Sequence, residues 1–468
     1  MSRNDCIAHA AAYLTSGAFE TDMARRVAIP TESQVPEGLP HTRRYLEEEM
    51  AGAFEAMGFT WQIFENPIEG VGPALLATRD EGADLTVLGY GHGDVIRGQA
   101  DQWTKGAGPW QTARDGERLY GRGTADNKAQ HTINMAGMRA VLETRGKLGF
   151  NAKFIIETAE ENGSQGLREI IAANMEAFAA DVFIASDGPR VRPDLPTVSL
   201  GARGGKNFDL VCDLREGGHH SGNWGGAIAD PAMILAHAIA SICGPTGQIL
   251  IPDWLPPPMT NAVRDALSGL TLDPGPEGPE IDPDWGEPGM TTAEKVYGWN
   301  SFAVLALGSG NIAGPVNAIQ PSARAHCQLR YIAGTDVARI LPALREHLDA
   351  AGFPMVEIAP PTGRNAAGFE ASRTEPDNPW ALWVRQAVER TTGTPPAVIP
   401  QMGGSICNDL FTDLLGLPAI WIPHSYTGCS QHAPDEHILM PVSESALAIM
   451  AGLYWDLGEG GHPVASTG

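Results

Sequence analysis

Nowhere does the chain approach the roughly 18 uninterrupted apolar residues that a membrane-spanning helix needs, so no membrane partner is expected. No CxxC pair occurs either: six cysteines (Cys6, Cys212, Cys243, Cys327, Cys407 and Cys429) are scattered along the chain. That pattern suits reduced thiols in the cytoplasm better than a disulfide framework. Basic residues are scarce, 32 against 56 acidic, for a formal charge of −24. A nucleic-acid-binding surface needs the opposite sign, so that partner class is excluded. The opening stretch MSRNDCIAHAAAYLTSG has Asp5 and His9 where a signal peptide needs an apolar core, and it reads as an ordinary helix. Internal repeats are absent, and the only biased tract is rich in proline and glycine.

What is present is a long, compactly foldable chain. Its 468 residues, 43% hydrophobic and 19% charged, exceed what one hydrophobic core usually supports, so two domains are expected. The first two hundred residues alternate helical and strand patterns. WQIFEN, PALLATR, DLTVLGY, AKFIIETAEE and ADVFIASDG read as strands; NKAQHTINMAGMRAVLETRG and GLREIIAANMEAFA read as helices. Such alternation implies an α/β fold, a mostly parallel sheet with helices on both faces. The style then changes. TVSLGARGGKNFDLVCDLRE gives two strands in succession, and strands followed by a helix recur twice, as in an inserted α+β sandwich. The predicted division is therefore residues 1–200 and 376–468 for the first domain and 201–375 for the insert. Within it, the Pro/Gly-rich stretch 251–289 reads as a tethered surface loop, with a pocket-shaping segment as the alternative.

Ligands of open α/β sheets collect at the carboxyl ends of strands. Five predicted strand ends deliver a histidine or carboxylate: His92 and Asp94, then Asp126, Glu160 with Glu161, Asp187, and His432. Imidazole and carboxylate donors without thiolates suit zinc, cobalt or manganese in a catalytic role. In GYGHGD, a spacing of two puts His92 and Asp94 on one side of an extended chain. The flanking glycines are expected to let the backbone approach the metal site.

These segments carry a resemblance. GYGHGDVI, GRGTADNKAQ, ETAEENGSQG, ASDGP, EGGHHSGNWGG, GPVNAIQPSARAHCQLRYIAG, MGGSI and QHAPDEHI span residues 89 to 439 in order. They make the chain similar to the zinc metallopeptidase and amidohydrolase family of carnosine-type dipeptidases, aminoacylase, succinyl-diaminopimelate desuccinylase and carboxypeptidase G. The resemblance implies a catalytic domain with an inserted lid that also forms a homodimer. It implies two divalent metal ions, zinc by preference with cobalt or manganese as alternatives. His92 and Asp187 would bind one, Glu161 and His432 the other, with Asp126 bridging. Asp94 would orient the His92 imidazole, and Glu160 would be the general base. His220, with His219 as rival, would reach the partner subunit's site. Arg330, Asn317, Gly403, Gly404 and Ser405 would bind the substrate's carboxylate or carbonyl side. His424 competes with His432 for the last metal position, and the HAPDE context favours His432.

The expected activity is hydrolysis of an amide or peptide bond in a small carboxylate-bearing substrate, dipeptidase-like. An aminoacylase-like or xenobiotic amidohydrolase is the alternative. A non-catalytic binding relative would have lost the base or a ligand, and this chain keeps all six.

Overall fold

The computed structural model describes residues 1–272, 279–361 and 368–463, so six residues of the Pro/Gly-rich stretch lie outside the described part. Its centre is an eight-stranded sheet. In spatial order the strands are Thr60–Phe64, Ala74–Arg79, Asn151–Glu157, Thr86–His92, Val182–Ala185, Ala419–Trp421, Thr197–Ser199 and Ala397–Ile399. Thr86–His92 runs parallel to both of its neighbours, Val182–Ala185 is parallel to Ala419–Trp421, and Thr197–Ser199 is parallel to Ala397–Ile399. The first two strands pair antiparallel.

Side-chain alternation along these strands explains why both faces are covered. Val87, Ile156, Val182 and Ile184 point to a core shared with helices Arg3–Thr15, Lys128–Arg145, Pro379–Thr392 and Met440–Glu459. Leu88, Tyr90, Ile155, Phe183 and Ala185 point to the opposite face. There they pack on Leu167, Ile170, Phe178, Leu410 and Phe411. A strand apolar at every position is what a sheet buried on both sides demands.

A second sheet is entirely antiparallel: Ser301–Gly308, Ser322–Tyr331, Gly204–Asp213 and Val356–Ala359. Helices Pro231–Ile242 and Ile340–Ala350 cover one face, closing a core of Phe208, Leu210, Leu235, Trp254, Leu329 and Leu344. The two strands read in TVSLGARGGKNFDLVCDLRE thus join different sheets. Gly201–Ala202 pairs with Ser372–Arg373, so the outgoing and returning chain segments run side by side.

One of the predicted strand ends lies outside the central sheet. The strand ahead of Asp126, Arg118–Tyr120, does not belong to it. It pairs with Ala113–Asp115 and His437–Leu439 in a small three-stranded sheet, because its three residues are claimed by the chain returning after His432. Among the described residues no helix is long and apolar enough to cross a membrane.

Candidate metal centre

Five chain segments converge at one end of the central sheet. Strand Thr86–His92 ends on His92, fully buried, and Asp187 follows strand Val182–Ala185. Asn151–Glu157 gives way to a short helical turn, Glu160–Asn162, and this break in strand alternation aims Glu160 and Glu161 differently. Asp126 lies just ahead of helix Lys128–Arg145, and His432 sits in a loop with φ of 60°.

Asp126 is the hub. Its Oδ1 lies 2.8 Å from His92 Nε2 and its Oδ2 lies 3.1 Å from His432 Nε2. Asp187 Oδ2 stands 3.6 Å from His92 Nε2, and Glu161 Oε2 stands 3.0 Å from His432 Nε2. Two triads result, His92–Asp126–Asp187 and Asp126–Glu161–His432, with one donor atom of each member within 4.8 Å of the others. Three carboxylates and two imidazoles, with no thiolate, form a donor set that fits two divalent cations sharing the Asp126 carboxylate.

The electrostatics agree. Burial opposes the charged imidazolium of His432, yet hydrogen bonds to Asp126 and Glu161 overcome it and push its pKa up to about 11. Burial, then repulsion from Asp126, lifts Glu161 to about 7. Burial together with Glu161, Asp187 and Asp126 raises Glu160 well above the usual carboxylate range. Crowded acids that resist ionising and imidazoles that hold their protons mark a strongly cation-seeking field.

Among the described residues the Glu160 carboxylate makes no hydrogen bond, and it borders a cavity of about 1000 Å³. Asp126, Glu161, Asp187, His432, Arg330, Gly403, Gly404 and Ser405 line the same cavity. Arg330 Nη1 donates to Ser405 Oγ at 2.6 Å, which ties the second sheet to the glycine loop. The cavity is also walled by Leu272 and Pro279, so the tract read as a surface loop contributes to the site.

Other sequence-derived candidates fall elsewhere. His220 and Asn317 lie together on an exposed two-stranded ribbon: His219–His220 pairs with Ala318–Ile319, and Ser221 N–H donates to the Asn317 carbonyl at 3.0 Å. His220 Nδ1 accepts the Gly222 N–H, and neither His220, His219 nor Asn317 lines the cavity. His424 is buried between Ser186 Oγ (2.9 Å) and Asn134 Oδ1 (3.1 Å), where burial holds its pKa well below the ordinary range. It belongs to neither triad.

The GYGHGD segment makes more contacts than its pattern implies. The His92 Nδ1 contacts the Asp94 backbone carbonyl at 3.1 Å, while the Asp94 carboxylate is 3.5 Å away. That carboxylate also accepts the N–H groups of Glu160 (3.2 Å) and Glu161 (3.1 Å) and the Ser33 hydroxyl (2.7 Å). Asp94 therefore holds the turn bearing the glutamate pair. The glycines answer a packing demand: a β-carbon would collide with His131 at Gly91, and would lie 2.6 Å from Tyr45 Cδ1 at Gly93.

Several residues escape sequence reasoning. Glu436 Oε1 accepts three backbone N–H groups, from Gly123 (3.0 Å), Ala125 (2.8 Å) and Asp126 (3.1 Å). Its Oε2 accepts from buried Arg122 at 2.7 Å. The signal was available, since Glu436 lies in the quoted QHAPDEHI. Gln431 Nε2 donates to Asp126 Oδ2 at 2.5 Å, and Arg203 donates twice to the Gly403 carbonyl, at 3.0 and 2.8 Å. No local signature marks Arg203, because its partner is two hundred positions away.

Comparison with known proteins agrees with this geometry. The model for peptidase family M20/M25/M40 matches residues 88–456, and the chain belongs to that family of metal-dependent peptide hydrolases. It is 30% identical over 335 residues to the cysteinylglycine-S-conjugate dipeptidase of Corynebacterium striatum, covering 69% of each chain. Human Beta-Ala-His dipeptidase shares 32% identity over 170 residues, 36% of this chain and 33% of that one. In fold it is similar to the di-peptidase Dug1p of Saccharomyces cerevisiae, with a TM-score of 0.77 at 19% identity, covering 99% of this chain and 100% of that one.

Proposed function

We propose that this chain is a dinuclear metal dipeptidase. The observation that carries the reading is the Asp126 carboxylate, with one oxygen 2.8 Å from His92 and the other 3.1 Å from His432. His92 and Asp187 would hold one ion, Glu161 and His432 the other, and Asp126 would bridge, with zinc preferred over cobalt or manganese. When bound, the ions supply Lewis acidity at the scissile carbonyl and lower the pKa of attacking water.

The chain's own residues do the rest. Glu160, whose carboxylate borders the cavity, takes the attacking water's proton and delivers it to the departing amine. Asp94 keeps Glu160 and Glu161 divergent by holding both of their amides. Arg330, with Ser405 and the Gly403–Gly404 amides, binds the substrate carboxylate as a fork suited to two oxygens.

His220 and Asn317, exposed and remote from the cavity of their own chain, act on the partner subunit's substrate in a homodimer. The exposed strand Ser301–Gly308 supports that assembly, since it pairs on one side only and presents Val304, Leu305 and Leu307. Residues 1–200 and 376–468 form the catalytic domain, and 201–375 the lid that dimerises. Six free cysteines favour a cytoplasmic setting.

The test is a mass-spectrometric screen of free dipeptides, their N-acylated counterparts and aryl amides, on zinc- or cobalt-loaded protein. Cleavage of free dipeptides, lost in Glu160→Ala with metal content retained, is the expected result. Turnover confined to acylated or aryl amides makes the chain an amidohydrolase instead, and activity surviving Glu160→Ala removes the base assignment.

A further inference from the structure

The tract from Ile251 to Gly289 carries none of the motifs behind the resemblance, yet it leads into a well-built element of the cavity wall. Helix Thr292–Tyr297 begins with a reciprocal cap. Thr291 Oγ1 accepts the Glu294 N–H at 3.2 Å, and the Glu294 carboxylate accepts the Thr291 N–H at 2.8 Å. Such a cap holds a short helix in place. Its last two residues, Val296 and Tyr297, line the cavity.

Those residues abut the carboxylate-binding loop. A β-carbon at Gly403 would lie 3.2 Å from Val296 Cγ1 and 4.0 Å from Tyr297 Cε1. Two residues on, Ser405 accepts from Arg330. On the other flank of Arg330 stands its strand partner Gly205, whose N–H donates to the Phe369 carbonyl at 3.2 Å, and Phe369 also lines the cavity. Arg330 itself meets polar partners, its Nε donating to Gln328 Oε1 at 2.9 Å and its Nη1 to Ser405 Oγ, while Val296, Tyr297 and Phe369 supply apolar parts of the surrounding wall. Arg203, the other guanidinium nearby, directs its donors at the Gly403 carbonyl and Ser301 Oγ.

We infer that the enzyme prefers dipeptides whose C-terminal residue bears a large apolar or aromatic side chain, packed on Val296, Tyr297 and Phe369. The inference rests on the reading of Arg330 as the carboxylate anchor. A carboxylate held there leaves its own residue's side chain within a bond or two of the anchor, and so against this surface. A charged side chain set against those three would lose water without gaining a partner from them. Burying a leucine or phenylalanine side chain is worth about ten- to hundredfold in kcat/KM.

Steady-state kinetics on the metal-loaded protein test it with Ala-Gly, Ala-Leu, Ala-Phe, Ala-Asp and S-benzyl-Cys-Gly. Ala-Leu and Ala-Phe should exceed Ala-Gly by about tenfold or more in kcat/KM, with Ala-Asp poorest. Val296→Ala and Tyr297→Ala, made separately and checked for unchanged melting temperature, should each lower the Leu-to-Gly ratio through KM. Equal use of Ala-Gly and Ala-Leu, or a ratio unmoved in both folded variants, overturns the inference while leaving the dipeptidase reading intact. A clear preference for S-benzyl-Cys-Gly over Ala-Phe overturns it too, by placing the apolar demand on the N-terminal residue. No cleavage of any dipeptide removes the dipeptidase reading and this inference with it.

Discussion

Glu436 shows how one side chain can govern a centre it does not enter. A single carboxylate oxygen collects the amides of Gly123, Ala125 and Asp126, while the other meets Arg122. Because His432 lies on the same loop, Glu436 couples the turn bearing the hub to the loop bearing a neighbouring donor. Glu436→Gln keeps the shape but sets an amide N–H₂ against either Arg122 or the backbone donors. It should weaken metal binding by about ten- to hundredfold, read by titration calorimetry on the metal-free protein. Unchanged affinity in a folded variant would make Glu436 a scaffold residue only.

Glu157, behind the site, makes a pH prediction. It accepts from Tyr90 Oη and Ser164 Oγ, both at 2.8 Å, and among the described residues no cationic side chain bonds to it; burial, then the Asp94 charge, raises its pKa from 4.5 to about 7. The folded chain thus keeps a proton that the unfolded chain has released, and stability falls as pH rises from about 4.5 to 7. Glu157→Gln removes that loss. Denaturant unfolding should show the variant up to about 3 kcal/mol more stable than the wild type at pH 8 and equal to it near pH 4. A parallel pH dependence in both proteins would place the titration elsewhere.

Among the elements, strand Ser301–Gly308 is the most exposed to consequence. Its outer edge offers unpaired backbone groups beside Val304, Leu305 and Leu307, which are 39%, 54% and 53% exposed. An apolar, one-sided edge invites another strand. In the proposed homodimer the partner supplies it, and Leu305→Lys should shift the mass measured by light scattering toward the monomer. Activity should fall in step, because His220 of the partner subunit is then withdrawn. A monomeric wild type, or a variant as dimeric as the wild type, rules this edge out as the interface.

Helical and strand periodicity made the elements legible at this scale. Thr86–His92, Asn151–Glu157 and Lys128–Arg145 sit where the apolar spacing puts them. Sheet membership was less legible. Arg118–Tyr120 reads like any short strand, and only its pairing with His437–Leu439, more than three hundred positions away, removes it from the central sheet.

For the molecule as a whole, the α/β class followed from alternation and double-sided burial, both properties of the sequence. So did the selection of polar residues at strand ends, because a strand exposes chemistry where its hydrogen-bonded run stops. The tertiary structure decided what those residues meet. Asp126 stands between His92 and His432, whereas His424 is sealed between Ser186 and Asn134. Asp94 binds the Glu160–Glu161 amides, and the glycines beside His92 make room for Tyr45 and His131. Such meetings depend on distances between segments far apart in the chain. Local periodicity carries no information about them, since it records only which face of an element is buried and not what it is buried against.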